Sequence, residues 1–245
     1  MIKIRLNGLC LVAQSDIFMN RLVEFVAVVS VACLYSCSFN NGRDGAGPAA
    51  GVLWEVDNLQ SIGGRETTVL GSPEVIETGS GRAIRFAGTR DGLIVDAMPL
   101  AGARNFTLEI IFRPDADGLK EQRFLHLQEN GSENRVLIET RLTGDGLWYL
   151  DTYIQTAKGG KALIEPANTH QTGKWYNATL VYDGRRMRHY VNGVQEMSAD
   201  LPFSPLADGK VSIGVRMNRV FWFKGAIRKV RFTPMVLGAD QFLWP

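Results

Sequence analysis

From Val52 to the C-terminus the chain never sustains a helical period, because short runs of β-forming residues are cut repeatedly by Gly, Asp, Asn or Pro. That spacing predicts an all-β fold in which two antiparallel sheets pack face to face. The clearest strands are AIRFA at 83–87, GLIVDA at 92–97, FTLEIIF at 106–112, RFLHLQ at 123–128, RVLIETRL at 135–142 and LWYLDTYI at 147–154. Between 174 and 194, Asp183-Gly184 and Asn192-Gly193 mark two tight turns, which predicts a three-strand meander with a short third strand. AIRKVRF, opened by Gly225, reads as a last long strand, and GADQFL near the end as a short helical turn. With 45% hydrophobic residues in 245, one domain can bury a sizeable core, placing Phe112, Leu180 and Ile227 inside.

The first 51 residues read as an address and a tether. An apolar run of 14 residues, Leu22 to Tyr35, follows Arg21. It is shorter than the ~20 residues of a membrane-spanning helix and suits the hydrophobic region of an export signal. A second candidate start, Met19, lies just before it and leaves residues 1–18 outside the signal. The run ends in LYSCS, which resembles the lipobox of bacterial lipoproteins, with Leu34 at minus three, Ser36 before the cut and Cys37 as the acylated residue. Cys33 is a rival, but it lacks an aliphatic residue three positions earlier. The Gly-, Asn- and Ala-rich stretch at 38–51 cannot bury enough surface to fold and reads as a flexible tether before a domain at 52–245. The expected location is the bacterial cell envelope, lipid-anchored at the outer membrane or cell surface, with the periplasm or secretion as alternatives.

All three cysteines, Cys10, Cys33 and Cys37, precede the domain, so neither a disulfide framework nor a Cys-based zinc site is expected in it. Lys and Arg total 27 against 25 Asp and Glu, a formal charge of +2 that provides no field for collecting phosphate backbones; nucleic acid is not an expected partner.

GRAIRFAGTRDGLIV at 81–95, FTLEIIFRP at 106–114, GKWYNATLVYDG with YVNG at 173–193, DGKVSIG at 208–214 and FKGAIRKVRF at 223–232 resemble, in order, the blocks of laminin-G-like, concanavalin A-like jelly-roll domains. The resemblance spans roughly Val52 to Leu243. It implies a jelly-roll sandwich and a polysaccharide or glycan as partner, with the membrane reached through the lipid anchor alone. It also admits a structural calcium, but Arg228 and Lys229 stand where the family often has acids, so no metal or other cofactor is expected. The Glu-x-Asp-x-Glu triplet of related glycoside hydrolases is absent; Glu55-Val56-Asp57 lacks the third acid.

Side chains two apart on a strand share a face, so strict alternation assigns residues to an expected concave surface. On that basis His126 and Gln128 face the same way as Phe124, opposite Leu125 and Leu127. Arg135, Glu139 and Arg141, then Tyr149, Asp151 and Tyr153, then Arg188 and Tyr190, occupy the polar faces of their strands. If those faces coincide they form one groove, in which tyrosines stack on sugar rings while Gln128 and the arginines bind hydroxyls or a uronate carboxylate. His126, Glu139, Tyr149 and Asp151 are the catalytic candidates: His126 as a base beside a tyrosine for a lyase, Glu139 with Asp151 as acid and nucleophile for a hydrolase. His170 reads as a loop residue, His189 as facing the core, and Trp148, Trp175 and Trp222 as core. Three functions follow: glycan recognition first, a glycoside hydrolase or polysaccharide lyase using the same groove second, and a structural or adhesive protein-binding module with a merely solvated polar sheet third.

Overall fold

A computed structural model of the protein describes residues 51–245. The signal, the lipobox with Cys37 and all but the end of the tether lie outside the described residues. The strands are β1 Val52–Glu55, β2 Ser61–Ile62, β3 Arg65–Leu70, β4 Glu74–Thr78, β5 Gly81–Ala87 and β6 Gly92–Val95. β7 Phe106–Pro114, β8 Glu121–Glu129, β9 Arg135–Leu142, β10 Leu147–Thr156, β11 Gly159–Ile164 and β12 His170–Gln171 follow. β13 Tyr176–Tyr182, β14 Arg186–Val191, β15 Val194–Asp200, β16 Gly209–Ile213 and β17 Lys224–Thr233 complete the set, before a turn of 3-10 helix at Ala239–Gln241.

One sheet runs β15-β14-β13-β7-β17-β5-β4, with β1 also on β17, and the other runs β11-β10-β9-β8-β16-β6-β3-β2, with β12 on β10. Every strand pairing is antiparallel, as expected of a concanavalin A-like sandwich. Each predicted strand is present, while β1 to β4, β11 and β12, short or rich in charged and small residues, are additional to those the sequence predicts most clearly. β15 has seven residues, longer than expected. Asn192 and Gly193 both take positive φ, 48° and 78°, as a two-residue hairpin turn requires. The Asp183 turn is one residue longer, its carboxylate Oδ1 accepting the backbone N–H groups of Arg185 and Arg186.

Phe112, Leu180 and Ile227 are all fully buried, as alternation requires. Phe112 of β7 stacks on Phe124 of β8 at 4.5 Å and meets the Trp148 ring of β10 edge-on at 5.2 Å, joining the two sheets through aromatic contact. Trp175 and Trp222, expected in the core, are only half-buried. The Trp175 ring lies outside, under the guanidiniums of Arg113 and Arg228 at 5.6 and 5.0 Å.

β7 is buried on both faces because the C-terminal segment folds back over it. The Leu237 amide donates to Thr107 Oγ1 at 3.0 Å and the Leu243 amide to Glu109 Oε1 at 2.7 Å. Arg231 pairs with the same fully buried Glu109 carboxylate. The outer face of the β7 sheet is thus partly covered by the chain's own end.

Candidate functional site

Charged side chains collect on the outer face of β8, β9 and β10. Register sets Arg123 opposite Glu139, and Glu139 opposite Asp151 on the next strand. One step along, Glu121 lies opposite Arg141. Cross-strand neighbours on one face are close enough for direct contact, and these pair densely. Arg123 Nε donates to Glu139 Oε1 at 3.1 Å, and Arg141 Nε and Nη2 both reach Asp151 Oδ2, at 2.9 and 2.7 Å. Arg141 Nη1 meets Glu121 Oε1 at 2.6 Å.

The two inner carboxylates are almost wholly buried, with side chains 4% exposed each. Burial, reinforced by the neighbouring Asp151, pushes the Glu139 carboxyl up to about 7 against the pull of Arg123 and Arg141. Burial likewise holds Asp151 above the ordinary aspartate range despite its bonds to Arg141. These side chains line a cavity of ≈ 270 Å³ together with Arg135, Tyr153 and Arg216, and Leu137 and Ala162 complete its wall. The Arg135 guanidinium sits 5.2 Å from the centre of the Tyr153 ring, whose hydroxyl donates to Gln155 Oε1 at 2.6 Å.

Arg216 comes from the loop between β16 and β17, which is fastened to the sheet at two points. The Met217 amide donates to His126 Nδ1 at 2.9 Å, and the Phe221 ring lies 3.7 Å from the Arg123 guanidinium carbon. Arg219 and Phe221 take φ of 62° and 58°, a left-handed backbone that costs a residue with a Cβ on the order of 1 kcal/mol. The loop therefore spends stability to hold its shape beside the cavity.

Several sequence expectations for the site are corrected by this geometry. Arg135, Glu139, Arg141, Asp151 and Tyr153 do converge. Tyr149 does not; it lines a separate depression with Lys120, Leu142 and Pro166. Gln128 faces another, and its Nε2 donates to the Ser132 carbonyl at 2.8 Å. Arg188 and Tyr190 lie on β14 in the other sheet, where Arg188 pairs with Asp183 at 2.7 Å and Tyr190 packs edge-on against Phe242. They point away from the core on the opposite side of the sandwich and cannot share a groove with Arg135.

His126 is 1% exposed, and its Nδ1 lone pair is occupied by the Met217 amide. The neutral ring then carries its proton on Nε2, leaving no free lone pair to act as a base. His170 belongs to a two-residue strand and its Nε2 donates to Glu196 Oε1 at 2.7 Å, while His189 faces the core beside Thr152 at 3.1 Å. Among the described residues no group of three His, Cys, Asp or Glu is placed to share a metal ion.

Phe124 packs in the core beside Leu125 instead of facing out with His126, because a bulge between Arg123 and Leu125 inserts an extra residue. The same bulge turns Arg123 outward, which strict alternation would have put on the core face. The adjacent apolar pair Phe124-Leu125 was the one local sign of it. Arg216 and Phe221 sit in an irregular loop where no periodicity could reveal them.

Burial holds two histidines neutral, His126 under the Met217 loop and His189 in the core: His126 is lowered to about 3, with the charges of Arg216, Arg135 and Arg123 adding to burial, and His189 to about 4. The unfolded chain takes up these protons near pH 6.5 and the folded one only near pH 3 to 4, so their stability is present above 6.5 and lost as pH falls. Glu139 acts with the opposite sign between 4.5 and about 7, and Asp151, also raised, adds to it from its lower starting value, but within this pH range the two histidines outweigh them. Urea unfolding followed from pH 7 to pH 4 is expected to show a net loss of several kcal/mol. A flat profile would contradict the burial of both rings.

The family profile described as the concanavalin A-like lectin/glucanases superfamily matches residues 87–241, and the chain belongs to that family. None of the curated proteins matches it in sequence. Among solved structures it is similar to domain 4 of an extracellular arabinanase from Geobacillus stearothermophilus, solved in complex with arabinotriose. That similarity has a TM-score of 0.62 at 17% identity and covers 80% of this chain and 97% of that one. It is also similar to the receptor binding domain of botulinum neurotoxin D, at TM-score 0.56 and 15% identity, covering 78% of this chain and 50% of that one. The binding domain of botulinum neurotoxin DC, in complex with SialylT, gives TM-score 0.57 at 13% identity over 78% of this chain and 50% of that one. The chain thus spans about half the length of the toxin domains.

Proposed function

We propose that the domain is a glycan-recognition module, lipid-anchored at the bacterial cell envelope through Cys37, and that it takes a saccharide in the cavity on the β8–β10 face. The observation that carries this reading is the cavity itself, where Tyr153, four arginines and two buried carboxylates meet in a small recess on an open sheet face. Buried polar groups that hold one another in place form a preorganised surface for hydroxyls. The arabinotriose and SialylT complexes of fold neighbours support the reading by analogy of fold.

Polysaccharide affinity electrophoresis tests it. The protein should be retarded by at least one polysaccharide, Tyr153→Ala should weaken the retardation about tenfold, and Tyr190→Ala, on the opposite side, should leave it unchanged. Equal loss in both variants, or no retardation by any polymer, would remove the proposal. For the anchor, Cys37→Ser should move the protein out of the membrane fraction.

One observation favours a hydrolase as a second reading: Glu139, held protonated up to about 7, stands directly across from Asp151. New reducing ends from a bound polysaccharide, lost in Glu139→Gln, would establish it; binding without products would leave recognition alone.

A further inference from the structure

The cations of the cavity are unevenly matched. Of its lining residues four are arginines and two are carboxylates. Arg123 and Arg141 are taken up by Glu139, Asp151 and Glu121. The other two arginines are not so occupied. Arg135 meets only Glu133, whose side chain is 86% exposed, a pairing that water and salt weaken. Its Nε is buried with no hydrogen-bond partner. Arg216 forms no ion pair among the described residues, and burial and the nearby charges of Arg135 and Arg123 act against its own charge.

Holding Arg216 beside Arg135 with no ion pair of its own is unfavourable, yet the loop that brings it there is itself kept in a left-handed backbone at Arg219 and Phe221. His126 adds a second buried donor without a partner beside Arg135 Nε, since its Nε2 is buried and unbonded, with the charges of Arg216, Arg135 and Arg123 acting on the ring. Buried donors left unpaired cost stability unless a ligand satisfies them.

Building on the glycan reading, we propose that the saccharide bound in this cavity is acidic, with a carboxylate or sulfate group seated between Arg135 and Arg216. An anion there pairs with Arg216, which no side chain occupies, and with the edge of Arg135 beyond its exposed contact to Glu133; two oxygens of a carboxylate or of a sulfate group can each accept from a guanidinium N–H. The carboxylates Glu139 and Asp151 remain engaged by Arg123 and Arg141, so they do not repel it from the same position. The chain's overall charge of +2 offers no general basic surface, so attraction for an acidic polymer has to come from this local excess.

The test compares the detergent-solubilised full-length protein with polygalacturonate, dextran sulfate and neutral arabinan in affinity electrophoresis, at low and at raised salt. An acidic polymer should bind at least about tenfold more tightly than arabinan, and more weakly as salt rises. Polygalacturonate and dextran sulfate separate the carboxylate from the sulfate source. Arg216→Gln should lower the acidic affinity about tenfold, Arg135→Gln similarly, and the exposed Arg185→Gln on the other sheet not at all. Arg216 takes part in no ion pair among the described residues and its charge is held unfavourably, so Arg216→Gln should unfold at the same or a higher temperature, which keeps binding loss distinct from misfolding. Arabinan bound as tightly as the acids, or Arg216→Gln without effect, would overturn the acidic ligand while leaving glycan recognition standing. Failure of every polymer to bind would overturn both.

Discussion

Arg141→Met is expected to destabilise the domain by about 3–5 kcal/mol at pH 7, the cost of leaving one side of a buried ion pair uncompensated. Arg141 is the only partner that Asp151 has among the described ion pairs, and it also touches Glu121 and Glu139. Removing it leaves two adjacent carboxylates, each with a side chain 4% exposed, sharing a single arginine, Arg123. Both carboxyls already lie above their ordinary range because of burial, so protonation is their readiest relief. The penalty should therefore shrink when urea unfolding of variant and parent is compared at pH 5 instead of pH 7. A loss below about 1 kcal/mol at pH 7 would show an exposed, solvated network of the kind that contributes little.

Phe112→Ala is the second large effect, at about 3–5 kcal/mol, from lost transfer energy and the cavity left behind. The ring is fully buried and lies within 4.5–6.3 Å, centre to centre, of Phe124, Trp148, Tyr176 and Phe223. Phe124 and Trp148 belong to the opposite sheet, so no single neighbour can collapse into the space without opening the contact between sheets. Chemical denaturation measures it. Trp244→Ala, by contrast, removes a ring 68% exposed and should change stability by less than about 0.5 kcal/mol.

Fold and site were legible to different degrees, for physical reasons that particular residues show. Polar residues two apart in RVLIETRL and LWYLDTYI mark the outward faces of those strands, though β10 runs on to Thr156, and Arg135, Glu139, Arg141, Asp151 and Tyr153 come together as that spacing requires. Alternation tells which face of a strand is polar but not to which sheet the strand belongs. Arg188 and Tyr190 had the right parity and the wrong sheet, because β14 pairs with β13 and β15. A single bulged residue near Arg123 reversed the parity at the start of β8. Arg216 reaches the cavity through a loop whose shape depends on tertiary contacts to His126 and Arg123, and no local pattern encodes such contacts.

A crystal structure of the protein with a short acidic oligosaccharide is the most direct measurement. The account predicts the sugar on the β8–β10 face, its acidic group within hydrogen-bond distance of Arg135 and Arg216 and its ring beside Tyr153. A saccharide seated instead on the β14 face, around Arg188 and Tyr190, with this recess left to water, would contradict it.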